Sequence, residues 1–304
     1  MTESHYPQES SSSPKGSEVG AKSNQGGGEK RDASFDAVSP DASEKGDAGP
    51  HGRSLNPNAQ VKAIDQSGGK RGGLERARLS KQIGYMQEPR RLNRDDLDER
   101  RIIYPESPDR NLVNRFRQLR TQLLEVSGGE NFSLVVTGAT QGAGASFVSI
   151  NLAAAFAFDQ AKTALLVDCN LRYPSLHTLL DIMPHGGLTD FIEDPDYDIS
   201  RIIYPTGIPR LRLIPAGSRH ESPSEFFTSY RMEEFIQAIR RRYPDRFIVL
   251  DTSSIADSPD ARILTELCDY TMLVVPHGKV TNSQVEIALG GIDPNKFVGA
   301  ILNA

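Results

Sequence analysis

From about residue 110 to the end of the chain, short apolar runs alternate with segments whose apolar residues have helical spacing. The runs predict six strands, at residues 132–136, 164–167, 211–215, 247–250, 272–275 and 297–302. The spacing predicts helices at residues 112–126, 145–161, 232–242 and 259–267. Because uninterrupted apolar strands are buried on both faces, we predict an α/β domain with a mostly parallel sheet and helices on both faces.

The first hundred residues differ in composition from the rest of the chain. They hold 13 of the 26 glycines and equal numbers of basic and acidic residues, 16 of each. Residues 1–70 have too few apolar side chains to offset the entropy of ordering, which predicts disorder. Residues 70–94 are basic, and they form either a solvated linker or a contact for an acidic partner or an anionic membrane. We therefore predict a tail and linker over residues 1–100 and a folded domain over residues 105–304.

Charge and cysteine content exclude several classes of protein. The net charge of −5 is carried by the predicted domain, so a nucleic-acid-binding role is not expected. Cys169 and Cys268 are too few for a disulfide framework or a zinc cluster, which favours a reducing cytoplasm. The N-terminus has no apolar signal sequence, and the longest apolar runs fall far short of the ~20 residues that span a bilayer. These features predict a soluble, cytoplasmic protein.

A glycine-rich turn joins the first predicted strand to the helix that follows it. Its glycines are Gly138, Gly142 and Gly144, and the helix begins at Ala145 and Ser146. Such a turn gathers backbone N–H groups and a helix N-terminus around one point, which is a phosphate-binding geometry. A P-loop has a lysine before the Ser/Thr that binds Mg²⁺, whereas here that position holds Ala145. The alternative interpretation is a tight turn that serves only helix–sheet packing.

Two carboxylates follow predicted strands that would lie close to this turn. Asp168 ends the second strand, with Asn170 and Arg172 just after it, and Asp251 ends a later strand. Ligands bind at the carboxyl ends of parallel strands, so Asp168 and Asp251 are candidate catalytic residues and, with Ser146, candidate Mg²⁺ ligands. The alternative is that each aspartate only caps the turn or helix that follows it.

Several ordered segments of residues 110–304 resemble one family. They are NRFRQLRT at 114–121, VDCNLRYPSLH at 167–177, GLTDFIE at 187–193, LIPAG at 213–217 and SPSEFFTSYRMEEFI at 222–236. In this order they resemble the cytoplasmic domain of the bacterial tyrosine kinases of capsule and exopolysaccharide systems, and more distantly MinD-like and ParA-like ATPases. The resemblance implies a P-loop NTPase-like fold, ATP or ADP with Mg²⁺ as ligands, and a nucleotide site formed by the glycine-rich turn, Ala145, Ser146 and Arg172.

The chain departs from that family at positions that matter for activity. Ala145 replaces the phosphate-binding lysine, Thr140 stands where MinD-like proteins have their signature lysine, and Asn170 replaces the second aspartate of the Walker A′ motif. The last tyrosine of the sequence is Tyr270, so we expect the C-terminal tyrosine cluster that the family phosphorylates to be absent. Asn303 matches an asparagine that contacts the base in MinD-like relatives. Losing one charged contact of this kind is expected to slow phosphoryl transfer by about 10²–10³.

The same resemblance bears on assembly. In the family a glutamate on the first helix pairs with arginines of a neighbouring subunit to form rings. Here Asn114 takes the place of the glutamate, while Arg117 and Arg120 remain. A homo-oligomer through these residues is one possibility, without its usual ion pair.

Three functions fit these observations. The leading hypothesis is a non-catalytic or weakly catalytic relative of the kinases, acting as a cytoplasmic partner in polysaccharide synthesis and export. The resemblance implies a membrane-embedded chain-length regulator as its partner and a peripheral place at the inner membrane. A second hypothesis is an active kinase or ATPase in which Arg172 or a neighbouring subunit replaces the lysine. A third is a MinD- or ParA-like positioning ATPase.

Overall fold

A computed structural model describes residue 88 and residues 91–218, 223–242 and 246–304. These residues form one seven-stranded sheet with the strand order β3-β4-β2-β5-β1-β6-β7, in which every neighbouring pair is parallel except β3 and β4. The strands are β1 (Ser133–Gly138), β2 (Thr163–Asp168), β3 (Tyr204–Pro205), β4 (Leu211–Ile214), β5 (Arg246–Asp251), β6 (Tyr270–Pro276) and β7 (Phe297–Asn303). The predicted α/β fold with a mostly parallel sheet is confirmed.

Helices cover both faces of this sheet. In β1 the side chains of Leu134 and Val136 pack into one apolar cluster, while Val135 packs into the cluster on the opposite face. This alternation explains why the central strands are apolar at every position. The α-helices are α1 (Arg94–Glu99), α2 (Arg110–Val126), α3 (Ala145–Phe156), α4 (Leu176–Leu179), α5 (Leu188–Glu193), α6 (Ser224–Phe227), α7 (Tyr230–Arg242), α8 (Pro259–Leu267) and α9 (Asn282–Leu289), with a 3-10 turn at Ile199–Ile202.

Helix α3 lies in the apolar cluster formed with α2, and the other face is covered by α5, α7 and α8. Helix α3 is apolar nearly all round, as expected for a helix enclosed by neighbours. It ends at Phe156, earlier than the predicted residue 161, because the Asp159 carboxylate accepts the N–H of Ala161 and forms a turn. Among the described residues, no helix is both long enough and apolar enough to cross a bilayer.

The packed domain begins earlier than the predicted boundary between residues 100 and 105. Leu92, Leu97 and Ile103 are buried in the cluster that contains α2 and α3. The buried Asn151 side chain of α3 accepts the N–H of Ile103 at 2.8 Å and donates to the carbonyl of Arg101 at 3.1 Å. The end of the predicted linker therefore belongs to the domain. The predicted disorder of residues 1–70, and most of the basic segment, lie outside the described residues.

Candidate functional site

The glycine-rich turn between β1 and α3 has a backbone that only glycine adopts easily. Gly142 and Gly144 have φ of 75° and 91°, in the left-handed region. A Cβ on Gly138 would lie 2.8 Å from the carbonyl oxygen of Thr140, and a Cβ on Gly144 would lie 2.1 Å from Asn303 Nδ2. The conformation of the turn thus explains the glycine pattern.

Several backbone N–H groups of this turn are open. The amides of Gly142, Gly144, Ala145 and Ser146 donate to no other residue that the structure describes. Gly144 is the N-cap of α3 and provides no side-chain cap, so the positive end of the helix dipole faces the turn uncompensated. Together these groups form an anion-binding concavity.

A pocket of about 500 Å³ lies over the turn, which is large enough for a nucleotide. Most of its lining residues are glycine, alanine, serine or threonine. Its lining residues are Gly138, Thr140, Gln141, Gly142, Ala143, Gly144, Ala145, Ser146, Asn170, Arg172, Tyr173, Thr252, Ser253, Ser254, Asp257 and Ser258. The pocket therefore brings together the predicted residues Gly138, Gly142, Gly144, Ala145, Ser146 and Arg172.

Arg172 is the one basic side chain among these described lining residues. Its Nε lies 3.2 Å from Asp260 Oδ2, and the side chain is 38% exposed. The buried Asp260 carboxylate also accepts from the hydroxyls of Ser224 and Ser258, which hold it in place. The guanidinium has no other hydrogen bond within the described part of the chain, so its terminal amino groups are available to an anion.

Lys162 is a described lysine that lies away from the glycine-rich turn. It precedes β2, at the edge of the sheet opposite the glycine-rich turn. Its Nζ donates to Asn131 Oδ1 at 2.6 Å and lies 5.4 Å from the ring centroid of Phe247. The lysine is therefore occupied elsewhere.

Asp251, at the end of β5, is held by two hydroxyls of helix α3. Ser146 Oγ donates to its Oδ2 at 2.6 Å, and Ser149 Oγ donates to its Oδ1 at 3.0 Å. The carboxyl group is fully buried, and burial together with the nearby Asp168 raises its pKa to about 7, against the lowering effect of both hydroxyls. Asp251 is thus linked to the pocket through Ser146. Ser149 was not predicted, because nothing in the sequence marks it apart from other core positions of α3.

Asp168, at the end of β2, is paired in register with Asp251 but makes different contacts. Its Oδ1 accepts the N–H of Asn170, and its Oδ2 accepts the N–H groups of Ser175 and Leu176, each at 3.1 Å. Burial raises its pKa, and the three backbone donors oppose that rise. The carboxylate thus organises the turn before α4, which matches the capping interpretation, and its predicted catalytic and metal roles stay predictions.

The donors present fit a magnesium ion that is held jointly by protein and phosphate. Mg²⁺ takes one or two carboxylates or hydroxyls together with water and phosphate oxygens. Ser146 lines the pocket, and its hydroxyl contacts Asp251, so these two would hold the ion. No cluster of three His, Cys, Asp or Glu side chains able to bind a metal exists among the described residues.

Asp257 is a pocket residue that the sequence did not single out. It lies in the loop after β5, is exposed, and its Oδ2 accepts the N–H of Gln141 at 3.1 Å. An acidic side chain therefore takes one of the amides of the glycine-rich turn. Its position six residues after a strand-end aspartate, in a serine-rich loop at the ligand edge, was the available signal.

The predicted base contact, Asn303, lies beside the turn. Its side-chain Nδ2 donates to the backbone carbonyl of Ala143 at 2.9 Å, and its backbone carbonyl accepts the N–H of His277. It is absent from the described pocket lining. The structure thus places Asn303 as a support for the turn, and the base contact stays a prediction.

The predicted interface residues lie on α2, away from the pocket. Asn114 is exposed. Arg120 Nη1 donates to the carbonyl of Ala155 at 2.9 Å, and the guanidinium of Arg117 lies 5.5 Å from the ring centroid of Phe158. Arg120 therefore contacts the C-terminal end of α3 and Arg117 contacts the turn just after it, and their predicted role between subunits stays a prediction.

Comparison with known proteins agrees with this fold. The chain is 31% identical over 191 residues to tyrosine-protein kinase CpsD of Streptococcus agalactiae, covering 62% of this chain and 81% of that relative. It is 32% identical over 195 residues to tyrosine-protein kinase Wzc of Salmonella typhimurium, covering 63% of this chain but only 27% of the length of Wzc. The kinase domain of the Escherichia coli tyrosine kinase Etk has a TM-score of 0.61 at 24% identity, covering 74% of this chain and 92% of that domain. No family model matches the chain.

Proposed function

The chain belongs to the family of bacterial tyrosine-protein kinases, and from that premise we propose that it is a degenerate member. It binds nucleotide and Mg²⁺ over the glycine-rich turn but transfers phosphate weakly or not at all. Its role is that of a cytoplasmic partner or regulator in capsule or exopolysaccharide synthesis and export. The open turn amides, the pocket of about 500 Å³ and the Ser146–Asp251 contact support nucleotide binding.

The observation that carries the loss of catalysis is Ala145 at the first position of α3. This position follows the left-handed Gly144 and lines the pocket, where a lysine would neutralise charge on the outer phosphates. Phosphoryl transfer depends almost entirely on positioning and charge stabilisation. The pocket has no basic side chain at position 145, and Arg172 is the one basic residue among its described lining residues.

Calorimetric titration of the full chain with ATP, with and without Mg²⁺, combined with a phosphate-release assay, tests this proposal. Ala145→Lys is expected to tighten ATP binding by at least about tenfold and to raise turnover by about 10²–10³. Gln122→Lys is the matched control, because it adds the same charge at an exposed position of α2 outside the pocket. If the wild type releases phosphate, and does so as fast as Ala145→Lys, the domain is catalytically intact and the proposal is wrong.

Arg172 favours a second candidate, an active kinase or ATPase with a replacement cation. Its terminal amino groups have no partner within the described part of the chain, and it lines the pocket. Guanidinium groups bind phosphate in a bidentate manner. This candidate requires Mg²⁺-dependent turnover in the wild type that drops by at least about a hundredfold in Arg172→Ala and in Asp251→Ala. Turnover that is absent in the wild type excludes it.

The partner in this proposal is a separate membrane-embedded chain-length regulator, which would bring the domain to the inner membrane. Support comes from family membership and from the two unpaired buried cysteines, which suit a reducing compartment. Co-purification of the chain with such a regulator from membranes of the same cell tests the association. Loss of polymer length control in a deletion strain, restored equally by wild type and Asp251→Asn, would separate a regulatory role from a catalytic one.

A further inference from the structure

The loop that follows β5 places a fixed negative charge at the glycine-rich turn. Asp257 and Gln141 line the same pocket, and the Asp257 carboxylate accepts the Gln141 N–H at 3.1 Å. The turn amides nearer to α3, those of Gly144, Ala145 and Ser146, make no such contact within the described residues. The anion-binding turn is therefore open at its helix end and occupied at its other end.

The two ends of the turn serve different phosphates of a nucleotide. Backbone amides at the helix N-terminus would hold the inner phosphates, and a metal ion would neutralise charge on the outer ones. Here the residues that fit the metal are Ser146 and Asp251, and Asp251 leads directly into the loop that carries Asp257. Asp257 lies at Gln141, the end of the turn away from Ser146, so a third phosphate that extends along the turn from its helix end would come closer to Asp257 than the inner phosphates do.

We infer that Asp257 is a specificity-determining residue that makes the pocket favour a nucleoside diphosphate over a triphosphate. Like charges brought together at a binding site are unfavourable, and no lysine at position 145 offsets the repulsion. The effect is moderate because Asp257 is exposed and solvent screens it. This inference rests on the proposed nucleotide-binding function and names the ligand class that the degenerate pocket selects.

Calorimetric titration of the full chain with ADP and with ATP, both at the same Mg²⁺ concentration, tests it. In the wild type we expect ADP to bind about five- to tenfold more tightly than ATP. In Asp257→Ala, which removes both the charge and the acceptor, the two affinities should become equal within about twofold. Asp257→Asn keeps an oxygen for the Gln141 N–H and removes the charge, so it should shift the ratio in the same direction.

Glu125→Gln is the matched control, since it removes an exposed carboxylate of α2 outside the pocket and should leave the ratio unchanged. Equal wild-type affinities, a preference for ADP that persists in Asp257→Ala, or no binding of either nucleotide to the wild type would each overturn the inference. A phosphate-release assay on the same samples judges the proposed function separately. Fast turnover refutes the degenerate-kinase proposal, whereas only the affinity ratio decides the role of Asp257.

Discussion

The ends of β2 and β5 carry aspartates in register on neighbouring strands, but different groups hold the two carboxylates. Asp168 accepts three backbone N–H groups from the segment that immediately follows its own strand. Asp251 accepts two hydroxyls from helix α3, more than a hundred residues earlier in the chain. The first carboxylate is part of a local turn, while the second joins the sheet to the glycine-rich turn.

The difference shows that one sequence signature can serve two roles. A strand-end aspartate marks the ligand edge of a parallel sheet, but only its donors decide whether it faces a ligand or fixes the backbone. Buried backbone N–H groups need an acceptor, so we expect Asp168 to stabilise the turn that donates to it. Side-chain donors such as Ser146 can turn to a metal ion, which leaves Asp251 suited to a ligand-dependent role.

Replacing each aspartate by alanine should give the largest difference in the free energy of unfolding between the two sites. Asp168→Ala leaves three backbone N–H groups without their acceptor, and we expect a loss of about 3 kcal/mol in the free energy of unfolding. Asp251→Ala removes a buried carboxyl whose ionisation is unfavourable, so the loss should stay below about 1 kcal/mol at pH 7.5. Urea unfolding followed by far-UV circular dichroism measures both.

Asp168→Asn refines this test. The amide oxygen of the new side chain can still accept backbone N–H groups, but its NH2 group would face backbone N–H groups, which are also donors. An intermediate loss is expected. Equal losses for Asp168→Ala and Asp251→Ala would mean that the two carboxylates are not distinguished by their donors.

Most of the fold followed from local patterns. Helix α8 was predicted to span residues 259–267, and the structure has Pro259–Leu267 with Pro259 in its first turn and Ser258 as N-cap. The two-residue strand β3 was not predicted, because it exists only by antiparallel pairing with β4. The shortest helices were missed for a similar reason: one turn gives no periodicity to detect.

The candidate site was predictable only where a motif marks it. The glycine-rich turn, Ser146 and Asp251 were identified from their positions between strands and helices. The contacts of Ser149 with Asp251 and of Asp257 with Gln141 join residues 102 and 116 positions apart, and neither pair has a local pattern. Such contacts depend on the strand order, which places β5 beside β1 and which local periodicity does not determine.

The next largest effect is expected in the pH dependence of the free energy of unfolding, to which Asp251 contributes. The pKa of Asp251 is raised to about 7 in the folded protein, above its value of about 4 in an unfolded chain. Between these values the folded state binds more protons than the unfolded state, so the free energy of unfolding falls as the pH rises. Without divalent cations we expect this group to remove on the order of 2 kcal/mol between pH 5 and pH 8.

Urea unfolding of wild type and Asp251→Asn at pH 5, 6.5 and 8 measures this contribution against that of the neighbouring Asp168, whose pKa is also raised, to about 6. The fall should be clearly smaller in Asp251→Asn, and the remainder comes from Asp168. It should also shrink when Mg²⁺ and ADP are added, since a bound cation favours the ionised carboxylate. A fall of the same size in wild type and variant would place the titration elsewhere.

Ser149→Ala makes the smallest and most specific change to the contacts of Asp251. It removes the hydroxyl that donates to Oδ1 at 3.0 Å and leaves Ser146 in place. At pH 8, where the carboxylate is ionised, we expect a loss of about 1 kcal/mol, and at pH 5 almost none, because the bond to a neutral carboxyl is weaker and alanine favours helix. Ser283→Ala, in the exposed helix α9, measures the helix contribution alone and should be independent of pH. If Ser149→Ala were equally costly at both pH values, the hydroxyl would be acting through packing or through its second contact with the carbonyl of Ala145, and the link between α3 and the charge on Asp251 would fail.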